Sequence, residues 1–407
     1  MARTLGPLLL LLALACALPA TPARAAGPAA TSAALDRQMR HAGAGSGALA
    51  VDLDSGDQLY AVRADTPRVP ASVEKLYTTS TALTLFGAEG HLSTEVLGDV
   101  GLDDGGVLDG NLYLLGGGDP TFGARQAGEL ADALIAATGL SAVAGRVIGD
   151  ESAFDALRGP PSSGFRTSSD VGPLSALTFN RGRTGRRRPS FHASPARFAA
   201  QAFARALVRR GVMTGGQARR GLAPNGAVKL AEWSSPTMAE LARQTNRPSD
   251  NFAAETLVKA VGAEFGGRGS TRAGAAVIRR TLAGFGLHPI VVDGSGLSRG
   301  NRTTPRDVVR LLNRMADSAF APAFEDSLAV AGRNGTLDNR MRRTAAQDHC
   351  RAKTGTLSAV SALAGYCLTT GGSRVAFAFL MNGLSVAAAR RLQDRMTVAL
   401  ARYAPAG

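Results

Sequence analysis

At 407 residues the chain is longer than one hydrophobic core usually serves, so two domains are expected. A composition 45% hydrophobic and 19% charged excludes a disordered chain. The net charge of +14 suits an anionic neighbourhood such as a cell wall or a membrane face, but no nucleic-acid-binding module accompanies it. Only Lys75, Lys229, Lys259 and Lys353 are lysines, which leaves 42 of the 46 basic residues as arginine, a compositional habit as much as a binding surface.

The first 25 residues carry Arg3, an apolar core from Leu8 to Leu18 and the small-x-small ending Ala23-Arg24-Ala25. That is the pattern of a cleaved secretory signal peptide, too short and wrongly flanked for a spanning helix. Lipid modification of Cys16 is the alternative, weakened because "ALAC" lacks the usual leading Leu. Export to the periplasm or cell exterior follows, with no further stretch long enough to cross a membrane.

Residues 47–53 and 58–63 alternate about the turn "DSGD" and predict a hairpin. A helix is predicted over 72–86, with Lys75 where a Ser cap would favour an acid. From 92 to 157 the texture is glycine-rich and strand-like, "RGRTGRRRPS" is a basic loop, and the pattern is helical from 195. At the far end, 352–358, 361–368 and 374–381 predict three strands in hairpin order, followed by an amphipathic helix. Strands from both chain ends imply one antiparallel sheet in an α+β fold, built from 26–88 and 229–407, with 89–228 inserted. Cys350 and Cys367 fall almost opposite each other when the chain turns near Ser358 and Ala359, so an exported chain is expected to bridge them.

Three short motifs carry chemistry: Ser72-Val73-Glu74-Lys75, Ser249-Asp250-Asn251 and Lys353-Thr354-Gly355. Each has an ordinary structural reading, Ser72 and Ser249 as helix caps and Lys353 as a strand-edge charge. Their order and contexts favour chemistry. Residues i and i+3 share a helix face, so the Lys75 amine can reach the Ser72 hydroxyl. A serine hydroxyl needs a neighbouring base to become a nucleophile. Burial, the helix N-terminus and a second cation at Lys353 would all disfavour protonated Lys75. The five histidines form no triad and no metal-like spacing.

These motifs, with "RQTNRPSDNFAAETL", "VVDGSGLSRGNRTTP", "VAGRNGTLDNR", "AKTGTLSAVSALAGY" and "LMNG", resemble the D-alanyl-D-alanine carboxypeptidase/endopeptidase family, the class C low-molecular-mass penicillin-binding proteins. The resemblance implies a β-lactamase/transpeptidase-like domain with a five-stranded antiparallel sheet flanked by helices. It implies peptidoglycan stem peptides as substrate, β-lactams as inhibitors and no cofactor or metal. By motif, Ser72 would be the nucleophile, Lys75 its base, Ser249 a proton relay, Asn251 the positioner of the substrate amide and Lys353 the group orienting the network. Thr354 and Thr356 would hold the terminal carboxylate, beside Gly355 and Asp250 as further substrate-site residues. The N–H groups of Ser72 and Thr356 would form the oxyanion hole. "GDESAF" resembles a segment that contacts the stem, which adds Asp150 and Phe154.

Family members commonly nest two domains between the first two motifs, whereas Ser72 and Ser249 are 177 positions apart and "LSALTFN" runs straight into the basic loop. The smaller nested domain is therefore expected to be missing. The alternatives are a β-lactamase, disfavoured by the distant second motif and the lack of Glu-x-x-Leu-Asn, and a non-catalytic β-lactam-binding or wall-binding protein, disfavoured by the intact motifs.

Overall fold

The computed structural model describes residues 26–185 and 190–405. The signal peptide, Cys16 and the Arg186–Arg188 part of the basic loop lie outside the described residues. The central sheet is antiparallel, in the order Ala329–Val330, Cys350–Leu357, Val360–Leu368, Arg374–Asn382, Ser46–Asp52, Gln58–Val62. It has six strands rather than five. The additional one, Ala329–Val330, is two residues long and pairs only with Arg351 and Ala352, too short to leave a periodic signal.

The period-2 alternation of the last two full strands sorts side chains by size. Ala362, Ala364, Tyr366, Ala376, Ala378 and Leu380 face one core, whereas Leu363, Cys367, Val375, Phe377, Phe379 and Met381 face the other. The alanine-rich face lets helix Pro305–Ala316 pack closely on it, whereas helix Lys75–Phe86 lies among helices Met238–Asn246, Asn251–Phe265 and Thr271–Ala283, with nine of its twelve residues buried. Being buried on most sides, this helix must satisfy its hydroxyls internally. Thr79 Oγ1 donates to the Lys75 carbonyl and Thr78 Oγ1 to the Gly294 carbonyl, both at 2.8 Å. Helices Pro28–Arg40 and Val386–Ala401 cover the face with the larger side chains.

The insertion folds round its own core. Its main sheet runs Val228–Ser234, Ser93–Gly98, Leu112–Gly116, Val147–Asp150, Arg219–Arg220, with helices Ala124–Thr138 and Pro195–Val208 packed on it. The strand that returns to the main sheet's side of the chain, Val228–Ser234, pairs antiparallel with Ser93–Gly98. Its pairing carries the insertion past the expected boundary at 228, and the Ser235 N–H still donates to the Leu92 carbonyl at 2.8 Å. The segment after Asp150 docks the insertion onto helix Asn251–Phe265. There the buried Lys259 ammonium donates to Asp155 Oδ1 and the Leu157 carbonyl, each at 2.6 Å.

Cys350 and Cys367 are direct cross-strand partners with Cα atoms 4.1 Å apart and form a disulfide, and the turn between them places Ala359 at φ +54°. The bridge clamps the far end of the strand that carries Lys353. Replacing both cysteines by serine is expected to lower unfolding free energy by about 2–4 kcal/mol, read by urea denaturation. An unchanged midpoint would show that the hairpin alone holds this register.

Candidate active site

The turn that carries Ser72 is not the capped helix start expected from the sequence. Ala71–Glu74 forms a 3-10 turn, entered through Ala71 at φ +47°, and the α-helix proper begins at Lys75. In a 3-10 turn residues i and i+3 eclipse, so Lys75 stands directly over Ser72. The Lys75 Nζ lies 2.8 Å from Ser72 Oγ, 2.7 Å from Asn251 Oδ1 and 2.7 Å from the Ser295 carbonyl oxygen. Two of these partners can only accept, and together they take the two hydrogens of a neutral amine. The lone pair is then left facing the Ser72 hydroxyl.

Lys75 has no exposed surface. Burial pushes it down to about 8, against the charges of Asp293, Glu255, Asp250 and Glu74, which favour the ammonium. Three of these carboxyls are themselves altered: burial raises Glu74 well above the carboxylate range, Glu255 to about 8, and Asp293 upward. Glu255 accepts the Ser295 N–H at 2.8 Å, which fixes the loop whose carbonyl holds Lys75. Asp293 fixes the same loop through the N–H groups of Gly296 and Ser298. Ser295, Glu255 and Asp293 had no place in the sequence reading. Two of them lie in "VVDGSGLSRGNRTTP", yet nothing in that segment shows that it folds back onto Lys75.

The other two motifs arrive from distant parts of the chain. Ser249 sits at φ +64° immediately before helix Asn251–Phe265 and lines the cavity that also holds Ser72 and Asn251. Thr354 and Thr356 line its opposite wall, on the strand edge that Ala329–Val330 leaves uncovered beyond Ala352. Gly355 is required by contact: a Cβ there would lie 2.5 Å from the Pro70 carbonyl oxygen and 3.1 Å from the Ser72 nitrogen. Lys353 is fully buried behind this edge and donates to the Thr354 carbonyl at 2.9 Å. Burial, and then the charge of Lys75, hold it well below the lysine range.

Three expected substrate residues are committed elsewhere. Asp250 caps its own helix by accepting the Ala253 N–H at 3.0 Å and pairs with Arg181 at 2.5 Å. Asp150 is buried and accepts the N–H groups of Ser152 and Ala223. Phe154 packs into the core beneath a separate cavity lined by Asp155 and Arg220. Conversely, Thr336, Arg340 and Arg390 line the Ser72 cavity and were not anticipated.

The model of the D-Ala-D-Ala carboxypeptidase 3 (S13) family matches residues 30–188 and 189–403. The chain belongs to that family. It is a serine-type D-Ala-D-Ala carboxypeptidase, and its similarity to curated relatives is spread along most of its length. The D-alanyl-D-alanine carboxypeptidase of Actinomadura sp. (strain R39) is 32% identical over 89% of this chain and 82% of its own. Carboxypeptidase DacB of Mycolicibacterium smegmatis is 31% identical over 81% of this chain and 75% of its own. The fold is that of penicillin binding protein 4 (dacB) from Haemophilus influenzae, at a TM-score of 0.77 and 21% identity, covering 91% of this chain and 99% of that one. Among the described residues no helix is long and apolar enough to cross a membrane.

Only the neutral amine can accept the Ser72 proton. With Lys75 at about 8, the acylation rate of Ser72 by penicillin should rise about tenfold per pH unit below that value and level off above it. A second-order rate constant that stays flat from pH 6 to 9 would exclude Lys75 as the titrating base.

Proposed function

We propose that the protein cleaves the terminal D-alanyl-D-alanine bond of peptidoglycan stem peptides through an acyl-enzyme on Ser72. The observation that carries this reading is the triple contact of Lys75 Nζ with Ser72 Oγ, Asn251 Oδ1 and the Ser295 carbonyl. Neutral Lys75 takes the Ser72 proton as Oγ attacks the carbonyl carbon of the penultimate D-alanine. The oxyanion forms beside the N–H groups of Ser72 and Thr356, and the proton taken up by Lys75 is relayed through the Ser249 hydroxyl to the departing amine nitrogen as the C–N bond breaks, which leaves Lys75 neutral again. Water then attacks the ester, with Lys75 again as base, and Ser72 regains its proton.

Asn251 has one role on each side of its amide. Its oxygen holds Lys75, and its nitrogen, now 3.3 Å from the Asp170 carbonyl, is the group that would turn to a substrate amide. Lys353 keeps the Thr354–Thr356 edge in place from behind. A β-lactam enters the same sequence of steps, but its amine remains tethered, so the acyl-enzyme persists. When the departing amine belongs to a neighbouring stem, the same steps constitute endopeptidase cleavage. The work is done outside the cytoplasm, as the N-terminal signal sequence implies.

Labelled penicillin is expected to modify the mature protein once, on the peptide containing Ser72, and not to modify Ser72→Ala. Lys75→Ala should stay folded by circular dichroism and acylate about 10²–10⁴-fold more slowly. Label on another residue, or near wild-type acylation in Lys75→Ala, would refute the assignment.

A further inference from the structure

The substrate of a carboxypeptidase ends in a free carboxylate beside the bond to be broken, so the site should hold a cation for it. Neither motif lysine is available. Lys75 and Lys353 have no exposed surface, all three Lys75 contacts are made within the protein, and Lys353 lies behind the strand edge. Arg340 lines the cavity but is paired with Asp394 at 2.7 Å.

Arg390 is placed differently. It lies on helix Val386–Ala401, beside the buried Ala389, and it is exposed at the cavity that contains Ser72. Its Nη2 donates to Thr356 Oγ1 at 3.1 Å. Among the described residues no carboxylate stands within ion-pair distance of it. Its helix is held to the sheet nearby, where Ser361 Oγ donates to Gln393 Oε1 at 3.2 Å, so the guanidinium is carried by a rigid element.

We propose that Arg390, acting with the Thr356 hydroxyl, binds the terminal carboxylate of the substrate and makes the enzyme selective for acyl donors that carry one. The proposal rests on the peptidase reading above. A guanidinium matches a carboxylate with two parallel N–H donors, a geometry an ammonium cannot reproduce. Thr356 already orients that fork, while the Thr354 hydroxyl is engaged by Thr336 Oγ1 at 2.8 Å. Arg390 touches the substrate without taking part in proton transfer, so it is a specificity residue.

The test compares a penicillin with its methyl ester, and a D-Ala-D-Ala peptide with its C-terminal amide, on the mature protein. Arg390→Ala should lower kcat/KM for the free acids about 10- to 100-fold, mainly through KM, because the contact is equally present in ground and transition states. The preference for acid over ester should fall by the same factor, and Arg390→Lys should restore part of it. An equal loss on acid and ester would mark Arg390 as structural, and an unchanged preference would show that another group binds the carboxylate. Either result overturns the proposal. Failure of the wild-type protein to form any Ser72 adduct would instead overturn the peptidase reading, and this assignment with it.

Discussion

The constraint on which the site depends is the burial of one lysine between two groups that can only accept hydrogen bonds and one serine hydroxyl. An ammonium with no exposed surface is expensive to desolvate, and the chain relieves that cost by letting Lys75 lose its proton more easily. The surrounding carboxyls would normally oppose this. They do so weakly because burial has raised Glu74 and Glu255 toward their uncharged forms. The result is an amine fixed by Asn251 and Ser295, with its lone pair facing a serine hydroxyl.

The fold supplies that arrangement from three remote segments. Gly355 lets the strand edge meet the turn that opens the Lys75–Phe86 helix backbone to backbone. The same helix touches the loop of Gly294–Gly296, where a Cβ on Gly296 would come within 2.0 Å of the Ala71 carbonyl oxygen. Small residues on both sides therefore hold the strained Ala71 turn in place. The insertion takes part too: Asp155 and the Leu157 carbonyl anchor Lys259, and Asp170 supplies the carbonyl that Asn251 Nδ2 donates to.

What was legible in the sequence follows from how locally each feature is encoded. The sheet hairpins, the disulfide partners and the Ser72–Lys75 contact rest on spacings of a few residues, and the observed register matches them. The 3-10 turn was not legible, because a proline followed by a serine signals a helix start equally well in either geometry. The pairing of strand Val228–Ser234 with the insertion's sheet was not legible because none of its residues is buried and no alternation marks it, so it shows only in three dimensions. Asp250 read as a site residue by its position in a motif, yet a helix cap and Arg181 engage it. Arg390 was hidden among 42 arginines and became visible only when its helix was seen to lie over the Thr356 edge.

The scarcity of lysine offers a direct test of the central claim. With four lysines in the chain, ¹³C-labelling at the lysine ε-carbon gives four resonances, and a Lys75→Arg variant identifies the one that matters. Its titration in the free enzyme should have a midpoint of about 8. A midpoint at the ordinary lysine value of about 10.4 would mean that Lys75 is an ammonium at working pH, and would contradict its role as the base.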